Sequence, residues 1–398
     1  MASPAGIYIH IPFCRRKCNY CDFFSKPIDE EYVRKAYTRA LLKEIGFYGA
    51  KYGKNFVADS IFFGGGTPTL MEPELIDKIL AAVRKSFFIA AGSEITMEGN
   101  PATVTAEKLR RYRQSGVNRL SIGAQSFDDE ILSSLGRVHR AADITRTVEL
   151  AREAGFDNIS LDLMFAVPGQ DMNQWLDSVK KALALKPQHI SFYSLEIEPA
   201  TVFGDMLESG ALKETPAEVD REMYHRALAL LDAAGFVHYE ISSAALPGRE
   251  CRHNLKYWDL SEYLGLGAGA YSFIRDTRYN NIEDIKLYFD TMWSQDAASS
   301  MRCNDSQAYA SDCVSYCRVN SYRDSVTDYV FTALRTRRGV VFKEFSHKFK
   351  NEFWDLYSQQ QAEFEKFVRA GYAEYDDRRL ALTRKGIDIA SRITRLFM

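Results

Sequence analysis

YIHIPFCRRKCNYCDFF, residues 8–24, is the stretch from which the rest of the chain is read. It begins within a short apolar run, Ile7–Ile11, whose β-branched residues predict a strand. That strand leads directly into Cys14-x₃-Cys18-x₂-Cys21. Thiolates are soft ligands suited to iron–sulfur clusters or zinc. Three of them on one short loop can hold three corners of a cubane and leave its fourth iron open. Structural zinc sites want four ligands, usually as two separated pairs, and no second pair stands nearby in sequence. Cys14, Cys18 and Cys21 are therefore expected to ligate a [4Fe–4S] cluster. A zinc site completed by a distant ligand, and three incidental thiols, are the alternatives.

Outward from this loop, strands and helices alternate. Further β-branched or aromatic runs lie at Ser60–Phe63, Glu94–Met97, Asn118–Ile122, Asn158–Leu163 and His189–Leu195. Between them, helical spacing predicts helices over Glu30–Tyr48, Glu72–Ser86, Ala106–Ser115, Asp143–Ala154 and Met172–Leu185, with Gly116 and Gly155 as stop signals. Six such units predict an α/β fold with parallel strands and right-handed crossovers. The chemically unusual residues each fall just after a strand, where barrel sites sit, so a partial (β/α)₆ TIM-like barrel is favoured over an open sheet.

The pattern changes near Gly248. We expect units at 1–248 (the barrel), 249–324 (a connecting region with a Gly-rich run, Gly265–Gly269) and 325–398 (a small helical, winged-helix-like appendage with a hairpin over Gly371–Leu382). The 51 Lys and Arg nearly balance the 53 Asp and Glu, and no basic block stands alone, so nucleic-acid binding is not indicated. No signal peptide and no run of about 18 apolar residues is present, which makes a soluble cytoplasmic protein the expectation. In a reducing cytosol, crowded cysteines ask for a metal before a disulfide.

Gly64-Gly65-Gly66-Thr67-Pro68-Thr69 follows the second strand, and three glycines let a backbone approach a ligand closely. An ordinary tight turn is the plainer reading. Glu98, Gln125 and Asp162 close later strands. A carboxylate in an apolar strand costs several kcal/mol unless paired or bound to a ligand. Each could instead be a satisfied core group, and Arg137 a solvated helix-end cation.

With these residues in view, the Cys loop with Tyr20 before its last cysteine resembles the radical SAM superfamily. There the open iron chelates S-adenosylmethionine, and the glycine turn binds its methionine end. The segments GGGTPT (64–69), NRLSIGAQSFDDEIL (118–132), LGRVHR (135–140) and GFDNISLDLMFAVPGQ (155–170) narrow the likeness to the HemN/HemW branch, which holds oxygen-independent coproporphyrinogen III oxidases and haem chaperones. The resemblance covers nearly the whole chain and implies S-adenosylmethionine contacts from Tyr8, Gly65, Gly66, Thr67, Glu98, Gln125, Arg137 and Asp162. One departure is Ala166, where the branch usually has Gly before x-Pro-Gly-Gln.

Within the branch the likeness is to the haem chaperones. The oxidases carry a further Cys at the position of Phe23, and an N-terminal extension for which Cys14 leaves no room. The chaperones carry an HNxxYW element, here His253-Asn254-Leu255-Lys256-Tyr257-Trp258. The resemblance thus implies haem as cargo, acceptor (respiratory) proteins as partners, and an electron donor such as flavodoxin or ferredoxin. His253 is the candidate axial ligand, with Cys251 as alternative and Tyr257 and Trp258 beside the macrocycle. A structural His and Trp is the competing reading. Oxidative decarboxylation of coproporphyrinogen III is the alternative function. Turnover of S-adenosylmethionine is left open, as are a homodimer, the commonest oligomer, and peripheral membrane association through partners. Cys303, Cys313 and Cys317 are expected to be plain thiols.

Overall fold

The computed structural model describes residues 3–28, 30–293, 301–302 and 309–398. The six expected strands form as β1 (Ser3–Ile11), β2 (Phe56–Gly65), β3 (Phe88–Gly99), β4 (Arg119–Gln125), β5 (Ile159–Phe165) and β6 (His189–Ser194), all parallel to their neighbours in this order. Between them run α1 (Glu31–Tyr52), α2 (Pro73–Ser86), α3 (Ala106–Ser115), α4 (Asp129–Ser134), α5 (Ala141–Glu153) and α6 (Met172–Ala184). α3 shows why the boundaries were readable. The Thr105 side chain accepts from Lys108 N at its start, and Gly116, at φ +109°, ends it in the left-handed region.

Side chains alternate across each strand, so the two faces separate by chemistry. Ile7, Ile9, Ile61, Phe63, Ile95, Met97, Leu120, Ile122, Ile159 and Leu161 turn outward and are buried in the main core with the helices. Each fully buried aliphatic or aromatic side chain contributes roughly 1.5–3 kcal/mol. The opposite face carries Tyr8, His10, Ser60, Glu94, Glu98, Arg119, Ser121, Ser160, Asp162 and His189. The register stacks these inward residues in layers: Gly6 with Ser60, Ser60 with Glu94, Tyr8 with Phe62, Glu98 with Ser121, Ser160 with His189. The interior is therefore polar, unlike an ordinary barrel core.

The sheet continues beyond these six strands. After α7 (Val202–Glu208) and α8 (Ala217–Ala233) come β7 (Val237–Glu240) and β8 (Ser243–Ala245), and then α9 (Arg252–Trp258). β9 (Tyr263–Leu266) pairs parallel to the free side of β1 and leads through β10 (Tyr271–Ile274) and β11 (Thr277–Asn281) to β12 (Val314–Val319). The result is one 12-stranded sheet among the described residues, in the order β12-β11-β10-β9-β1-β2-β3-β4-β5-β6-β8-β7. Strands from the 249–324 stretch thus extend the barrel sheet.

The C-terminal unit has a helix at Tyr322–Ala333, another at Phe342–Phe349, a third at Ser358–Arg369, and a small sheet of β13 (Val340–Val341), β14 (Ala373–Tyr375) and β15 (Arg379–Leu382). It packs on α8 through an ion pair of Arg384 with Asp232 and a hydrogen bond between His225 Nε2 and Asp388 (2.9 Å). Cys313 is a buried free thiol, whereas Cys317 takes part in a disulfide, contrary to the expectation of a plain thiol. Cys303 lies outside the described residues. No helix among the described residues is long and apolar enough to cross a membrane.

One buried carboxylate locks the Gly-rich run in place. Glu44 of α1 is fully buried and accepts from Gly267 N, Asn281 Nδ2 and Tyr288 Oη, each at 2.7 Å. Glu44→Ala leaves three buried donors unpaired and should cost about 3 kcal/mol or more in denaturant unfolding. Burial raises the Glu44 carboxyl from its ordinary 4.5 to about 7. The raised value means that its contribution to stability is fully present below 4.5 and lost as pH rises through about 7. Glu44→Gln should flatten that slope, as read from unfolding midpoints across the window.

Candidate functional site

The C-terminal ends of the barrel strands enclose a cavity of about 630 Å³. Cys14, Cys18 and Cys21 line it, together with Gly65, Gly66, Thr67, Glu98, Gln125, Arg137 and Asp162. Residues more than a hundred positions apart thus face one space. Tyr8 is not among the lining residues. It lies beneath the glycine turn, with its hydroxyl 3.1 Å from His10 Nδ1.

The cysteine loop is tied to the barrel on both sides. Gly66 N donates to Ile11 O (2.9 Å) and Thr67 N to Phe13 O (2.7 Å), which joins the glycine turn to the start of the loop. Asn19 N donates to Leu135 O (3.0 Å), which anchors the loop's middle beside Arg137. His10 Nε2 lies 2.8 Å from Phe24 O at its end. Thr67 Oγ1 lies 3.6 Å from Cys14 Sγ, and Arg137 Nη1 donates to Cys18 Sγ at 3.5 Å. Donors aimed at sulfur suit thiolates that carry negative charge. Burial pushes the Cys21 thiol up to about 11, so metal has to displace its proton. Among the described residues no three His, Cys, Asp or Glu groups converge as a single-ion site.

Above the thiols the wall is shaped for a charged, hydroxyl-bearing ligand. Gly65 N donates to Glu98 Oε2 (3.2 Å), at a left-handed φ of +107° that only glycine adopts freely. Burial, reinforced by Asp162, pushes the Glu98 carboxyl up to about 8. Burial also raises Asp162, against the pull of Ser191, Arg119 and Ser121. A bound cation or hydroxyl donors would favour ionising both. Arg137 Nη2 donates to Gly123 O (2.8 Å), while its buried Nε has no hydrogen-bond partner among the described residues. Arg137 itself lines the cavity, and among the described residues it is the one cation there that also reaches a cysteine sulfur. Gln125, at φ +63°, is held by Tyr193 Oη donating to its Oε1 (2.9 Å); such backbone strain collects at ligand sites. The residues present fit a three-thiolate cluster with S-adenosylmethionine against it.

Ser121, which donates to both Asp162 oxygens (3.0 and 3.1 Å), and Tyr193 escaped the sequence reading. Their inward positions on β4 and β6 follow from strand alternation, which was the available signal. Ala166 sits at φ +56°, a conformation that explains a glycine preference there, and here a Cβ is accommodated. Phe23 is 69% exposed at the cavity mouth.

The expected haem contacts are elsewhere. His253 and Cys251 are fully buried. His253 Nδ1 is 3.0 Å from Ser60 Oγ and Nε2 is 3.1 Å from Tyr257 Oη, while Cys251 Sγ donates to Glu94. Tyr257 and Trp258 line a second cavity of about 220 Å³ with Lys256 and Arg278. None of the four lines the cysteine cavity.

Comparison with known proteins agrees with this geometry. Residues 8–182 match the model of the radical SAM superfamily, and residues 321–389 that of the HemN C-terminal domain. The heme chaperone HemW of Bacillus subtilis is 38% identical over 348 residues, 86% of each chain. Heme chaperone HemW of Lactococcus lactis is 32% identical over 403 residues, 100% of this chain and 98% of the relative. Among solved structures, the coproporphyrinogen III oxidase HemN from Escherichia coli superposes with a TM-score of 0.83 at 21% identity, over 100% of this chain and 90% of that one. At that identity the likeness is one of fold.

Proposed function

The chain belongs to the heme chaperone HemW family and carries its radical SAM domain, and from that premise we propose that it binds haem and hands it to acceptor proteins. The match to heme chaperones over essentially the full length of both chains carries this reading. In it, Cys14, Cys18 and Cys21 hold a [4Fe–4S] cluster. Gly65, Gly66 and Thr67 offer backbone and hydroxyl groups to the methionine end of S-adenosylmethionine. Glu98, Gln125 and Asp162 serve its hydroxyls and positive charge, and Arg137 its carboxylate. A reduced cluster, when bound, supplies the electron for cleaving the sulfonium. The chain's own part is to orient that ligand and keep water from it. A small redox protein such as a flavodoxin or ferredoxin would provide the electron.

Haem and coproporphyrinogen III decide between the two readings. After anaerobic reconstitution with iron and sulfide, haem should bind with a saturating shift in its absorption. Coproporphyrinogen III, given with S-adenosylmethionine and a reductant, should keep its propionates. Vinyl-bearing product would overturn the chaperone reading in favour of the oxidase.

A further inference from the structure

The HNLKYW segment forms α9, which plugs the end of the barrel opposite the cysteines. Glu94, near the bottom of the interior, accepts from Arg252 N and His253 N (3.2 Å each) and from Cys251 Sγ (3.6 Å). Lys256 Nζ meets Asp59 at 2.8 Å. These contacts fix the helix, and with it the His253 ring, inside the barrel. Both ring nitrogens have partners, Ser60 and Tyr257, so whichever nitrogen carries the lone pair is already engaged and not free for iron. The ring is packed as tightly as it is bonded. A Cβ on Gly6 would sit 2.9 Å from His253 Cε1.

From there a column of rings rises to the site. His253 stacks obliquely on Phe62 (centroids 5.2 Å apart) and on Tyr8 (6.3 Å). Tyr8 fills the space under the glycine turn, since a Cβ on Gly64 would fall 2.9 Å from its Cε2. Its hydroxyl bonds His10, whose other nitrogen bonds Phe24 O in the cysteine loop. The floor of the barrel and the underside of the ligand site are thus one packed stack, and interiors at this density transmit displacements.

We propose that His253 is a positioning residue for the S-adenosylmethionine end of the barrel, acting through Tyr8, and not a ligand to haem iron. This rests on the assignment of the glycine turn and cysteine loop to S-adenosylmethionine and its cluster. It moves the haem contact of the proposed function away from the HNLKYW histidine.

Two substitutions test it, on full-length protein reconstituted anaerobically. His253→Phe keeps the ring volume and removes both hydrogen bonds, while His253→Gln keeps a donor and an acceptor and makes a poor haem ligand. Equilibrium binding of S-adenosylmethionine, haem stoichiometry by absorption, iron and sulfide content, and melting temperature are read for each. His253→Phe should weaken S-adenosylmethionine about tenfold, with haem stoichiometry and iron unchanged. His253→Gln should restore most of that affinity and leave haem stoichiometry at the parent value. Tyr8→Leu should weaken S-adenosylmethionine similarly, and its combination with His253→Phe should be less than additive, because both act on one stack.

Loss of haem in His253→Gln with S-adenosylmethionine binding intact would overturn the proposal and make His253 the ligand. Unchanged S-adenosylmethionine affinity in His253→Phe would overturn it too. If His253→Phe fails to fold, His253→Gln and the Tyr8 variant still decide. A parent protein that binds no haem would defeat the chaperone reading, and the S-adenosylmethionine measurements would still test the positioning role.

Discussion

Cys18→Ser should strip the protein of its cluster while leaving the fold in place. The side chain is half-buried on a loop whose backbone is held by its neighbours, Asn19 to Leu135 and Cys21 N to Cys18 O (3.2 Å). Exchanging sulfur for oxygen leaves those bonds untouched. It leaves only Cys14 and Cys21 as thiolate ligands, and a hydroxyl is a harder, far more weakly acidic donor than a thiol. Iron and sulfide after reconstitution should fall from about four of each per chain to near zero, with the cluster's visible absorption. The melting temperature of the metal-free protein should stay within a few degrees of the parent's. A variant that retained full iron and sulfide would sink the ligand assignment.

Gly66→Ala should have the second large effect, through sterics. An added Cβ would lie 2.6 Å from Phe13 O and 2.9 Å from Ile11 O, both backbone atoms of the segment that runs from the end of β1 into the cysteines. Neither can swing aside as a side-chain tip would. The glycine turn and the cysteine loop must separate, breaking the Gly66–Ile11 and Thr67–Phe13 hydrogen bonds. Such overpacking costs about 1–3 kcal/mol, and at the site it should appear as a ten- to hundredfold loss of S-adenosylmethionine affinity. Gly46→Ala is the internal control. Gly46 lies exposed in α1 with nothing within 4 Å of a new Cβ, so the change should leave ligand binding alone and stabilise by roughly 0.5–1 kcal/mol. Equal losses in the two variants would show that the effect at Gly66 is not steric.

Much of this was legible along the chain because it is set by near neighbours. The spacing of Cys14, Cys18 and Cys21 puts three thiols on one loop whatever lies around it. Strand alternation and helical stops such as Gly116 depend on local sterics and on which face of each element is apolar. All six strands formed around the runs that predicted them, although β3 begins six residues earlier, at Phe88, and the five expected helices formed within four residues of their bounds; the short α4 (Asp129–Ser134) was not expected. The GGGT turn declared itself because only glycine tolerates φ +107° at Gly65 with the His10 ring packed against it, and only glycine fits against the backbone at Gly66.

The HNLKYW motif shows where such reading stops. A histidine, a tyrosine and a tryptophan at helical spacing look like a haem platform in one dimension. What decides the histidine's role is Ser60, 193 residues earlier, and Glu94, 159 residues earlier, which the sheet register sets beneath α9. Likewise, nothing near Arg137 in sequence indicates that its guanidinium reaches Cys18, 119 positions away. The sequence alone determined the ligand loop, the order of the elements and the polar face of each strand, because these follow from local geometry and periodicity. Only the tertiary structure decided which polar faces meet, which nitrogen and sulfur atoms are already spent on partners, and which stay open to a ligand. Those outcomes depend on strand register and barrel packing, which sum weak contacts from the whole chain.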